Sequence, residues 1–202
     1  AHPRLDCGPE SRFFARYRHL DQRARTRILD PLTWPRPAVD CIASLRNQGH
    51  PIPELYGLTL PEIGTYLAGR QPSVGALLES LTELHARRNG AARWIEKTPR
   101  HLLMTDALRT LWPDAYIVRI VRDPRDVALS LAHVPFAKDS VVGNLVRIDS
   151  DDRASRDRIE ADPRATTLRY EDLVTQPERE LRRICDFIHE EYQPVMLDSR
   201  DS

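Results

Sequence analysis

The stretch IVRIVRDPRDVALSLAHV, residues 117–134, constrains the fold more than any other part of the sequence. A near-continuous apolar run, 115–121, changes abruptly to Arg122-Asp123-Pro124-Arg125 and then to apolar residues at a wider spacing. Apolar runs of that length suit a strand buried on both faces, as in a parallel sheet. Asp123-Pro124 is a helix start, because a carboxylate caps the first N–H groups and proline is tolerated in the first turn. In such sheets ligands bind beyond the carboxyl ends of the strands. Arg122 stands at that end, where the next helix would point its free N–H groups and positive dipole at the same place.

The rest of the chain repeats the pattern. Residues 4–8 read as a short strand, and 13–29 as one arginine-rich helix. Residues 31–53 carry Pro31, Pro35, Pro37, Pro51 and Pro53 and read as an irregular excursion. From 72 to 88, Val74, Leu77, Leu78, Leu81, Leu84 and His85 fall on one helical face. Residues 93–97 read as a strand, followed by a helix with Thr98 as cap and Pro99 as first residue, running to Trp112. Residues 150–164 read as a charged helix or loop, 166–170 as a strand, and Pro177 onward as a helix striped by Leu181, Ile184, Cys185 and Ile188. Strands alternating with helices define an α/β fold with a mostly parallel sheet.

Three strand-to-helix seams carry candidate chemistry, each with two readings. At the first, the Arg122 guanidinium offers two charge-assisted hydrogen bonds to a phosphate, and Ser130 adds a hydroxyl two turns on. The alternative is that Asp123 caps the helix and pairs with an arginine, with no ligand. At the second, Lys97 projects over the same sheet edge, either to offset charge on a transferring group or as a solvated lysine. At the third, Tyr170 ends the 166–170 strand, either to contact a ligand or as a core tyrosine.

Lys+Arg and Asp+Glu both number 30, so no basic excess marks a nucleic-acid or membrane-surface binder, and an anion site must be local. The three cysteines form no CxxC and read as reduced thiols of a cytoplasmic protein, not a disulfide frame or metal site. No apolar run has the length of a membrane span. The chain starts without Met, so an N-terminal targeting segment stays open. The length fits one domain over 1–202.

In order and spacing, "EKTP", "IVRIVRDPRDVALS", "LRYEDL" and a Pro-led amphipathic helix resemble the sulfotransferases that use 3′-phosphoadenosine 5′-phosphosulfate (PAPS). The opening "AHPRLDCGPESRFF" is similar to a segment of tyrosylprotein sulfotransferases and their bacterial relatives. The resemblance covers residues 1–14 and about 93–190 and implies a P-loop-type three-layer fold. It implies that Arg122 and Ser130 grip the 3′-phosphate, and that Tyr170 also contacts the nucleotide. Lys97 would act at the sulfuryl group, Glu10 as general base toward the acceptor hydroxyl, and Arg12 in holding the acceptor. His101 is the competing base or acceptor contact, since histidine titrates in a suitable range. No metal is implied.

The family's first strand and its Gly-Thr-Thr phosphate loop would precede Ala1, because none of the eight glycines has that context. A further nucleotide-contacting loop would follow Met196-Leu197-Asp198-Ser199. Two other classes compete with a PAPS-dependent enzyme acting on an acceptor hydroxyl. One is a non-catalytic nucleotide-binding or protein-interaction module of the same fold. The other is a P-loop kinase, which the lack of a GKS/T motif disfavours. Protein tyrosine, a sugar, a lipid or a small metabolite all remain open as acceptor.

Overall fold

The computed structural model describes residues 1–132 and 140–198. His133, Val134 and Ser199, which close two of the stretches read above, lie outside them. The chain divides into two compact units, Ala1–His101 and Leu102–Ser202.

The first unit opens with β1 (Leu5–Cys7), α1 (Phe13–Tyr17) and α2 (Gln22–Ile28). The single helix expected over 13–29 is therefore two. Asp21 interrupts it, because its carboxylate accepts the Ala24 N–H at 2.7 Å and starts a new helix. The proline-rich excursion is also ordered. It holds α3 (Arg36–Ser44), the antiparallel pair β2 (Arg46–Asn47) and β3 (His50–Pro51), and α4 (Ile52–Leu55). Pro37 and Pro53 sit in first helical turns, where the missing N–H costs nothing. Next come α5 (Leu60–Ala68), opened by a Thr59–Glu62 capping box, and α6 (Val74–Arg88), capped by Ser73. Last is β4 (Arg93–Ile95), which pairs parallel with β1 from Leu5↔Arg93 to Cys7↔Ile95. Phe13, Ile42, Ile52, Tyr56, Ile63, Leu67, Leu77, Leu78 and Leu81 are all almost fully enclosed and form this unit's core. The α6 stripe read from the sequence supplies the last three.

The division between the units falls in a 3₁₀ turn, Pro99–Met104, that stands where a regular helix was expected. The second unit continues with α7 (Thr105–Leu111), β5 (Ile117–Val121), α8 (Pro124–Ala132) and α9 (Val141–Ala161). It ends with β6 (Ala165–Arg169), α10 (Tyr170–Thr175), α11 (Pro177–Ile188) and a 3₁₀ turn, Pro194–Leu197. β5 and β6 pair parallel in full register from Ile117↔Ala165 to Val121↔Arg169. β5 is not uniformly apolar in its burial. Ile120 is 62% exposed, whereas Arg119 is buried and ion-paired with Asp152 of α9. Asp152 thus neutralises the buried Arg119 cation. The α/β character and the parallel strand pairs are those the sequence pattern predicts.

Candidate functional site

The candidate residues fall in both units, and the first holds the acid–base cluster. Here Glu10 lies between two cations: Lys97 Nζ is 3.5 Å from Oε1, and Arg12 Nε is 3.6 Å from Oε2. Glu10 is about a quarter exposed and Lys97 more than half. The backbone around Glu10 is fixed from two sides. Tyr56 O–H donates to the Pro9 carbonyl at 2.6 Å, and Asn47 Nδ2 donates to the Glu10 carbonyl at 3.2 Å. Gly8 makes the first of these possible, since a Cβ there would lie 2.3 Å from Tyr56 Cε1.

Beneath the cluster is a group that sequence reasoning missed. Glu96 is mostly buried, and Oε1 accepts from Ser11 Oγ at 2.7 Å and from Thr98 Oγ1 at 2.6 Å. Oε2 accepts from His101 Nδ1 at 2.7 Å. Burial pushes the Glu96 carboxyl up, but the His101 hydrogen bond and charge, with the two hydroxyls, outweigh it and hold it below the usual range. Thr98 is thus not a side-chain helix cap. Its hydroxyl is turned to Glu96 and accepts the Arg12 N–H at 3.2 Å. In Glu10-Ser11-Arg12 the outer residues join the cluster, and in Glu96-Lys97-Thr98 the middle one does.

His101, read as a base or acceptor contact, is 5% exposed. Its ring packs edge-on against Phe14 with centroids 5.0 Å apart, and its Nε2 is buried with no hydrogen-bond partner among the described residues. It belongs to the layer beneath the cluster, bonded to Glu96.

The second unit holds the anion-site candidates. Because Val121 and Arg169 are register partners, Arg122 and Tyr170 leave the sheet side by side. The Arg122 guanidinium sits 4.8 Å from the Tyr170 ring centroid. Tyr170 is 40% exposed and so is not a core tyrosine. Among the described residues Arg122 also makes an open ion pair with Asp126 at 3.5 Å, both partners being substantially exposed. An open hollow of about 390 Å³ adjoins it, lined by Val121, Arg122, Asp123, Thr167, Arg169 and Glu171. Ser130 is exposed on α8, one turn beyond Asp126.

The helix start has the cap and the arginine pair that the sequence offered. Asp123 does cap α8, accepting the Arg125 N–H at 2.9 Å, and it pairs with the Arg125 guanidinium at 2.6 Å. The Arg125 hydrogen bonds hold the Asp123 carboxyl down at about 2. Glu171 accepts the Asp123 N–H at 2.7 Å, and Pro124 has none. The first N–H groups are therefore largely used within the protein, which leaves the Arg122 side chain as the candidate anion contact at this seam.

The profile of the sulfotransferase family matches residues 1–194, and the chain belongs to that family. No curated protein matches it significantly. Among solved structures it is similar to a sulfotransferase domain from the curacin biosynthetic pathway, with 16% identity and a TM-score of 0.61. That alignment covers 100% of this chain and 70% of the other. At this identity the likeness concerns the fold, which is that of a sulfotransferase domain.

Proposed function

We propose that the protein moves a sulfuryl group from PAPS to the hydroxyl of an acceptor, within one catalytic domain spanning 1–202. The carrying observation is Glu10 held between Lys97 and Arg12. A carboxylate that takes the acceptor's proton must meet that hydroxyl beside a cation that offsets charge on the leaving oxygen. The 3.5 Å approach of Lys97 to Glu10 supports those two roles. Arg12, 3.6 Å from the other Glu10 oxygen, holds the acceptor side. The acceptor oxygen forms a bond to sulfur, the sulfur–phosphate oxygen bond breaks, the proton passes to Glu10, and 3′-phosphoadenosine 5′-phosphate leaves. Positioning and electrostatics suffice for such in-line transfer.

The nucleotide fits the second unit's residues. Among the described residues Arg122 is held by an exposed ion pair and an aromatic face, which supports a guanidinium available to a phosphate. Tyr170 orients it, and Ser130 offers a hydroxyl on the same helix. Three free thiols, Cys7, Cys41 and Cys185, support a cytoplasmic setting. Among the described residues no helix is long and apolar enough to cross a membrane.

The test is transfer of ³⁵S from labelled PAPS to phenolic, sugar and aliphatic hydroxyl acceptors. Labelled acceptor and an equal amount of desulfated nucleotide support the reading. Lys97→Ala should lower kcat far more than nucleotide affinity. Tight nucleotide binding with no transfer to any acceptor would favour the non-catalytic module.

A further inference from the structure

Two short segments come together in the first unit, and they alternate in opposite phase. In residues 10–12 the outer pair, Glu10 and Arg12, joins the ion cluster, and Ser11 bonds inward. In residues 96–98 the middle residue, Lys97, joins the cluster, and Glu96 and Thr98 bond inward. One buried carboxylate ties both segments, through Ser11 at 2.7 Å and Thr98 at 2.6 Å. Thr98 then accepts the Arg12 N–H, and Ser11 Oγ accepts the Phe13 N–H at 3.2 Å. Arg12 has φ 48°, a left-handed conformation that an arginine does not adopt without support. That strained residue lies between Glu10 and α1, so its geometry sets where the Glu10 and Arg12 side chains go.

We propose that Glu96, acting through Ser11 and Thr98, is the positioning residue of the Glu10–Arg12–Lys97 cluster. This rests on the sulfuryl-transfer reading above. Glu96 is mostly buried and bonds to Ser11, Thr98 and His101, so its part is to fix the two backbones against each other. His101 completes the hub by occupying the second carboxylate oxygen, which leaves Glu96 one arrangement. A misplacement of about 1 Å at a reacting group costs on the order of 100-fold in rate. Losing either hydroxyl tie therefore falls on the chemical step and spares nucleotide binding, whose candidates lie in the other unit.

Glu96→Ala would strand His101 in a buried site, so the ties are cut instead. Ser11→Ala and Thr98→Val are made in the full chain, alone and together with Glu10→Gln. Single-turnover transfer from labelled PAPS, nucleotide Kd and melting temperature are measured on each. Each single variant is expected to lose about tenfold or more in transfer rate with nucleotide Kd within about twofold. In the Glu10→Gln background the further loss shrinks to about twofold or less, because there is no base left to position. Thr98→Ser, which restores the hydroxyl, returns the rate. Equal losses in both backgrounds, no loss in either single variant, or failure of Thr98→Ser to rescue would overturn the positioning role. Wild-type transfer by Glu10→Gln alone would instead remove Glu10 as the base, and the role of Glu96 with it.

Discussion

Replacing Arg122 with alanine separates a ligand-binding arginine from a structural one. In the free protein its pair with Asp126 spans 3.5 Å, with the two side chains 40% and 54% exposed. Such pairs contribute about 0–1 kcal/mol. The Tyr170 stack at 4.8 Å contributes about 0.5–1 kcal/mol at an exposed position. Arg122→Ala should therefore destabilise by about 1 kcal/mol, a fall of roughly 2–4 °C in Tm for a chain of this size. A guanidinium that grips the 3′-phosphate has a larger effect on binding, about 2–4 kcal/mol for a bidentate, charge-assisted contact. That is roughly 30- to 700-fold in Kd. Titration calorimetry with 3′-phosphoadenosine 5′-phosphate gives the affinity and thermal denaturation gives the Tm. Tyr170→Phe, which keeps the stack, should stay close to wild type in Tm. Equal nucleotide affinity in Arg122→Ala and the parent would refute the assignment.

Two further outcomes follow from the first unit. Gly8→Ala drives a Cβ to within 2.3 Å of the Tyr56 ring, which is almost fully buried; overpacking of this kind costs about 1–3 kcal/mol, so an unchanged melting temperature would show that the close approach is not real. The Glu96 carboxyl is held below its usual 4.5 when folded, so its contribution to stability is present above about 4.5 and lost as pH falls through the folded value. Glu96→Gln should accordingly lose less stability than wild type as pH falls below about 4.5, and parallel declines in melting temperature there would contradict the hub.

The seams were legible because their signals are local. Asp123-Pro124 is a cap and a first turn within two residues, and α8 starts at Pro124. The apolar stripe of α6 repeats every three or four residues, and its central leucines form the core. Proline misled over 31–53, since Pro37 and Pro53 are helix starters and not breakers when they stand in the first turn. Asp21, inside the stretch 13–29 read as helical, is a cap that divides it. In the candidate site, Glu10, Lys97, Arg122 and Tyr170 were named from motif residues. The structure brings Glu10 to Lys97 and Arg122 to Tyr170. What no sequence pattern carried is the bond from Ser11 to Glu96, whose partners are 85 residues apart. Nor did it carry the burial of His101, which depends on Phe14 folding over it. Tertiary hydrogen bonds of this kind leave no periodicity to read.

The most direct measurement of the proposed chemistry is the transfer rate of Glu10→Gln beside its nucleotide affinity, in the same preparation and with an acceptor that the parent sulfates. Glutamine keeps the shape between Lys97 and Arg12 and removes the proton acceptor. Loss of a general base costs on the order of 10²–10⁴ in rate. A kcat lower by that factor, with nucleotide Kd within about twofold of wild type, is the predicted result. Transfer at the parent's rate would contradict the account, because the carboxylate between the two cations would then have no part in moving the proton.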